Sequence, residues 1–109
     1  MKRIVLEPTI LKSWKDFHDG FSRAMGFPDF YGKNMSAWID CMSSIDAAED
    51  GMSTITVEPN EILVLQVTLG TTASAETAEV IVELCQCTAF VNRRFAEDGT
   101  QTRIFLEFI

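Results

Sequence analysis

Histidine and cysteine are scarce in this chain. There is one histidine, His18, and three cysteines, Cys41, Cys85 and Cys87. His18 has no evident acid–base partner in the sequence and reads as structural. Cys85-x-Cys87 lacks the Cys-x-x-Cys redox spacing, and no second pair completes a zinc site. An odd thiol count suits a reducing compartment, and the thiols are expected to be buried as small apolar groups. Long apolar runs are missing too. Ile4-Val5-Leu6 is cut by Glu7 and Pro8, which is too short for a signal peptide. No stretch approaches the about 20 apolar residues of a membrane span. The cytosol is therefore the expected compartment, with no membrane contact. No Gly-x-x-x-x-Gly-Lys-Ser/Thr loop occurs, and no Gly-x-Gly-x-x-Gly follows a strand. No cofactor is expected.

Basic residues are in the minority: 9 Lys and Arg against 16 Asp and Glu, for a formal net charge of −7. A surface of this sign repels phosphates, so no direct nucleic-acid binding is expected. The same sign attracts a basic protein and speeds the encounter.

What the chain does have is apolar mass. The hydrophobic fraction is 47%, with eight Phe and two Trp, enough for one core. Across 109 residues there is no repeat, low-complexity tract or dividing linker, so residues 1–109 are expected to form a single domain. Residues 3–7 read as a strand ended by Pro8. Ser13 is an N-cap with Asp16 three residues on. Trp14, Phe17, Phe21 and Ala24/Met25 then follow at helical spacing over 14–25. Gly20 weakens that helix, and Gly26 with Pro28 stops it. Asn34 caps a second helix running to about Asp46. Residues 47–51 read as a turn, and 53–57 extend briefly. Glu61–Leu69 is a strong strand, either covered on both faces or central in a parallel sheet. Thr72 or Ser74 caps a helix over 75–97, with a kink or break open near Thr88, and Gly99 ends it. Thr102–Phe108 closes the chain as a strand. Strands separated by helices predict an α/β fold: a small two-layer domain with a three-stranded parallel sheet packed against helices.

The second helix carries the informative pattern. At about 100° per residue, Trp38, Cys41, Met42 and Ile45 share the core-facing side. Ser36, Asp40 and Ser43 fall opposite, Ile39 lies beside them off the buried stripe, and Met35 sits at the boundary. Phe27, Phe30 and Tyr31 stand in the preceding loop. Two readings are open for this neighbourhood. It is either an exposed binding patch, or Phe27 and Phe30 plug the end of the core and Ile39 is one of the scattered apolar surface residues every protein has.

The stretch Pro28-Asp-Phe-Tyr-Gly-Lys-Asn-Met-Ser-Ala-Trp-Ile-Asp-Cys41 resembles the signature of the barstar family, intracellular proteins that inhibit barnase-type ribonucleases. The matching residues are Pro28, Asp29, Tyr31, Gly32, Asn34, Ala37, Asp40 and Cys41. The likeness extends more loosely to Phe17-His18 and to the closing Gly99-then-strand arrangement. It implies that residues 28–45 enter a ribonuclease active-site cleft, with Asp40 at the place of a substrate phosphate. A desolvated carboxylate meeting Arg, Lys or His there makes charge-assisted hydrogen bonds. The implied contacts are Phe30, Tyr31, Gly32, Asn34, Ser36, Ile39, Asp40 and Ser43. The implied partner is a basic ribonuclease or related toxin, bound one-to-one by a protein that is monomeric when free. The chain departs from the family pattern at four places. Phe30 replaces a tyrosine, Ser36 an acidic residue and Ile39 an exposed tryptophan. Arg94 falls at a partner-contacting glutamate in an ungapped alignment, although a short gap brings Glu97 there instead.

Other functions have weaker support. Glu76, Glu79 and Glu83 lie on one helical face and could hold a metal, but such strips usually mark solvated surface; no metal is expected. No nucleophile–base pair points to catalysis, so an enzyme is not expected. An immunity or interaction module for a different toxin, using the same exposed helix, is the main alternative. Self-association through Phe27, Phe30 and Ile39 is the third.

Overall fold

In the computed structural model, which describes residues 1–70 and 74–109, three strands form one parallel sheet. They are β1 (Lys2–Val5), β2 (Ile62–Val67) and β3 (Arg103–Phe108), with β2 in the middle. Three helices fill the connections: α1 (Trp14–Met25), α2 (Met35–Ser43) and α3 (Ala75–Glu97). Parallel neighbours cannot be joined by a tight turn, so each pair needs a helical crossover. The α/β class expected from the sequence is the class found.

Register decides which residues enter the core. Lys2, Leu63 and Ile104 align across the sheet, as do Ile4, Leu65 and Leu106. Leu63, Leu65 and Ile104 are fully buried. The alternate row aligns Arg3, Val64 and Phe105, and on this side Val5 and Phe105 are exposed. The continuous apolar run of β2 therefore reflects its central place, not cover on both faces. β3 is a sheet edge, and the Asn92 side chain of α3 meets its backbone. Asn92 Nδ2 donates to Ile104 O at 2.9 Å, and Ile104 N donates to Asn92 Oδ1 at 2.8 Å. Part of the edge that could template another strand is thereby occupied.

Each helix starts on a side-chain cap. Ser13 Oγ accepts from Asp16 N, Asn34 Oδ1 from Ala37 N, and Ser74 Oγ from Thr77 N. Of the two caps expected for α3, Ser74 is used, while Thr72 lies outside the described residues. α1 ends on Gly26 in the left-handed conformation at φ 66°. α3 runs unbroken through Thr88. α2 stops at Ser43, short of Asp46, because the next residues have other bonds. Ile45 turns fully into the core and its carbonyl accepts from Val57 N at 2.8 Å, while Asp46 Oδ2 accepts from Thr102 Oγ1 at 2.8 Å. β1 also ends early. Burial of Ile10 and Leu11 draws Pro8–Leu11 into a 3-10 turn that the sequence pattern did not announce. Residues 53–57 form no strand, but Thr54 N and Ile55 N donate to Met25 O. Cys41 and Cys87 are buried as expected, whereas Cys85 is exposed, because it falls on the outer side of α3.

Gly20 is explained by that 3-10 turn. A Cβ at this position would lie 2.6 Å from Ile10 Cγ2 and 2.8 Å from Glu7 Oε1. The helix accepts a glycine so that the turn can press against it. Gly20→Ala should improve helix propensity yet destabilise the protein by about 1–3 kcal/mol through overpacking. Urea unfolding measures this, and a stabilised variant would contradict the packing account.

Candidate functional site

The loop between α1 and α2 is braced from beneath. Phe27 and Tyr31 are buried and packed ring to ring, with centroids 4.7 Å apart. Tyr31 N closes a turn onto Pro28 O at 2.9 Å. The Tyr31 hydroxyl meets His18 Nδ1 at 2.6 Å, so the lone histidine does have a partner. Lys33 adopts a left-handed backbone at φ 52°, and its ammonium reaches Asp19 Oδ1 at 3.0 Å. Lys15 holds the other oxygen of Asp19 at 2.8 Å. Asn34 Nδ2 donates back to Gly32 O at 3.3 Å. Two expectations change here. Tyr31 is not part of an exposed patch, since its ring completes the aromatic cluster under the loop. Phe27 plugs the end of the core, the second of the two readings open to it. Phe30 does neither, standing 74% exposed at the loop's tip.

The charges in this brace respond to pH in two separate windows. Burial lowers the His18 pKa below its ordinary 6.5, outweighing the opposing pull of Asp19. The folded state thus resists a proton that the unfolded chain accepts. The corresponding stability is complete above about 6.5 and falls as pH drops below it. Hydrogen bonds from Lys15 and Lys33 hold the Asp19 carboxyl at about 2, against an ordinary 3.8. Its contribution is lost as pH falls from about 4 towards 2. Denaturant unfolding across pH should show both limbs. His18→Gln should flatten only the upper one, and a profile unchanged by that substitution would contradict the assignment.

On α2, Trp38, Cys41 and Met42 are buried, as is Ile45 just beyond it. Ser36 and Asp40 are exposed on the opposite side, and Ser43 is half-buried. Gly32 and Asn34, at the helix start, are exposed. Ile39 was expected to be exposed but is half-buried, packed on the core's margin. Its side chain lies at the border of the buried stripe, where the core still reaches it.

Asp40 points to water, with 64% of its side chain exposed, but it is not alone. Arg94 Nη1 of α3 lies 3.6 Å from Asp40 Oδ1. The same nitrogen donates to Ser43 Oγ at 3.4 Å, and the guanidinium sits 4.9 Å above the Phe90 ring. Glu97 instead pairs with Arg93 one turn back. The residue beside Asp40 is therefore Arg94, not Glu97. Sequence reading missed this pairing, the Tyr31–His18 bond and the Lys33–Asp19 bond. Each joins residues more than a helical turn apart in the chain, so no local spacing announces any of them.

The glutamate strip of α3 is put to other uses. Glu79 accepts from Trp14 Nε1 at 3.1 Å and joins α3 to α1. Among the described residues, no group of three or more His, Cys, Asp or Glu is placed to hold a metal, and no helix is long and apolar enough to cross a membrane.

The arrangement offers a loop and helix that present the Phe30 ring and the Asp40 carboxylate to solvent. An exposed ring and carboxylate of this kind suit a protein-binding surface. No curated protein matches the chain. A family model described as Barstar (barnase inhibitor) does match, over residues 1–107. With nearly its whole length covered, and with the parallel three-stranded α/β architecture described above, the chain belongs to the barstar family.

Proposed function

We propose that this protein inhibits a basic, barnase-type ribonuclease by binding one-to-one and filling its active site with the solvent face of α2. The observation that carries this reading is Asp40. It stands outward on a capped helix, which follows a loop that carries exposed Phe30 and is held by buried Phe27 and Tyr31. Asp40 takes the place of the scissile phosphate. The cationic side chains that would bind RNA then donate to its carboxylate in a water-excluded site, where charge-assisted bonds are strong.

Phe30 and the exposed rim of Ile39 supply apolar contact. Gly32 and Asn34 bring the backbone close at the helix start, and Ser36 and Ser43 border the carboxylate. Tyr31 acts from beneath, holding the loop in its bound shape so that little ordering is needed on association. The chain works as a single cytoplasmic domain over residues 1–109, monomeric when free. It is not an enzyme and needs no cofactor or metal. Its net charge of −7 steers it to a basic partner, so added salt should slow association.

Titration of a small basic barnase-type ribonuclease, with RNA cleavage as readout, tests the reading. Activity should fall linearly and vanish at one equivalent of the chain. A panel of such enzymes left fully active at a large excess would overturn it.

A further inference from the structure

We propose that Arg94 selects the partner: the face around Asp40 fits a protein that places an acidic side chain next to the cationic pocket receiving Asp40. The proposal rests on the inhibitory reading above and adds to it a specificity-determining residue. Arg94 is pinned at three points on two helices. Its Nη1 lies 3.6 Å from Asp40 Oδ1 and 3.4 Å from Ser43 Oγ, and its guanidinium covers the Phe90 ring at 4.9 Å. It is nevertheless 44% exposed, as is Phe90 to a similar degree.

A partner that encloses Asp40 must also cover Arg94, because the two groups are in contact. A guanidinium carries five N–H donors in a rigid fork. Among the described residues, Ser43 is its one hydrogen-bond acceptor and Asp40 its one ionic partner. Covering it strips water from the remaining donors, and buried donors without acceptors are costly. A wholly cationic rim would do worse, setting like charges side by side, which penalises wrong partners strongly. Swinging Arg94 aside would give up all three anchors. A carboxylate on the partner resolves both difficulties. It accepts from the outward edge of the fork and completes an alternating row of partner cation, Asp40, Arg94 and partner anion. At 3.6 Å the Arg94–Asp40 contact is longer than a hydrogen bond, so the carboxylate can still accept from the partner's cations.

The test uses the basic ribonuclease that the chain inhibits in the titration above. Each acidic residue bordering its active site is changed singly to the amide, and each form is titrated with wild type, Arg94→Ala, Arg94→Glu and Arg94→Lys. One carboxylate should stand out: its removal weakens wild type about tenfold or more and leaves Arg94→Ala unaffected, the signature of a direct pair. Arg94→Glu should weaken inhibition of the unmodified enzyme, and Arg94→Lys should fall between wild type and alanine. The proposal is overturned if Arg94→Ala or Arg94→Glu tightens inhibition, or if no carboxylate couples to position 94. Asp40→Ala run alongside separates the two readings. Inhibition that needs Asp40 but shows no coupling at Arg94 removes only this inference, whereas no inhibition by wild type removes both. Because Arg94 is a surface residue, thermal melts of the variants should match wild type.

Discussion

Asp40→Ala should weaken ribonuclease inhibition about 30-fold or more, since truncating one member of a buried charge pair costs at least about 2 kcal/mol. The loss is large because the partner's cations remain desolvated with nothing to accept from them. The folded chain should hardly notice. The side chain is mostly exposed, and its one ionic partner among the described residues, Arg94, is an exposed group 3.6 Å away. Such surface pairs contribute about 0–1 kcal/mol. Asp40→Asn keeps the shape and removes the charge, so it should recover little of the affinity if charge is what matters. Inhibition constants and melting curves measured on the same preparations separate binding from folding. Unaltered inhibition by Asp40→Ala would remove the phosphate-mimic mechanism.

Trp38→Ala should give the opposite pattern. Two residues before Asp40 on the same helix, Trp38 is fully buried against Phe21 at 5.6 Å and Phe17 at 6.5 Å. Removing a buried aromatic of this size costs about 3–5 kcal/mol, a large share of the stability of a domain this small. Trp38→Phe should cost far less than alanine. It refills most of the space, and the indole Nε1, which has no hydrogen-bond partner among the described residues, gives up no bond there. Urea unfolding should rank wild type, Trp38→Phe and Trp38→Ala in that order. Trp38→Phe should still inhibit with one-to-one stoichiometry, because position 38 faces the core. A Trp38→Ala variant as stable as wild type would contradict the assignment of α2's buried face.

The contrast between positions 38 and 40 shows why much of the fold was readable in the sequence. A helix turns by a fixed angle, so Trp38, Cys41 and Met42 had to share a side and Asp40 had to oppose them. Ser13, Asn34 and Ser74 announce helix starts through local hydrogen bonds that any chain can make. The apolar run around Leu63 to Leu65 announces a central parallel strand. None of these needs knowledge of distant residues.

What escaped the sequence depends on distant pairs. Tyr31 looks like a surface aromatic until α1 brings His18 to its hydroxyl. Gly20 looks like a weak point in a helix until Ile10 is seen resting on it. α2 stops early because Val57 and Thr102, remote in sequence, take up the groups of Ile45 and Asp46. Arg94 reads as one more charge on a long helix, and only the crossing of α2 and α3 sets it beside Asp40. On α2 and its leading loop, Phe30, Ser36 and Asp40 are exposed as expected, whereas Tyr31 is buried beneath the loop, Ile39 lies at the core's margin and Arg94 stands beside Asp40.

The most direct measurement is competition with a nucleotide. If Asp40 occupies the ribonuclease's phosphate site, the chain and a nucleoside 3′-monophosphate cannot be bound together. The apparent Kd for the chain should then rise linearly from its nucleotide-free value as nucleotide is added, without levelling off. An apparent Kd that stays constant while the nucleotide saturates the enzyme would show the two bound side by side, and Asp40 would not be standing in for the phosphate.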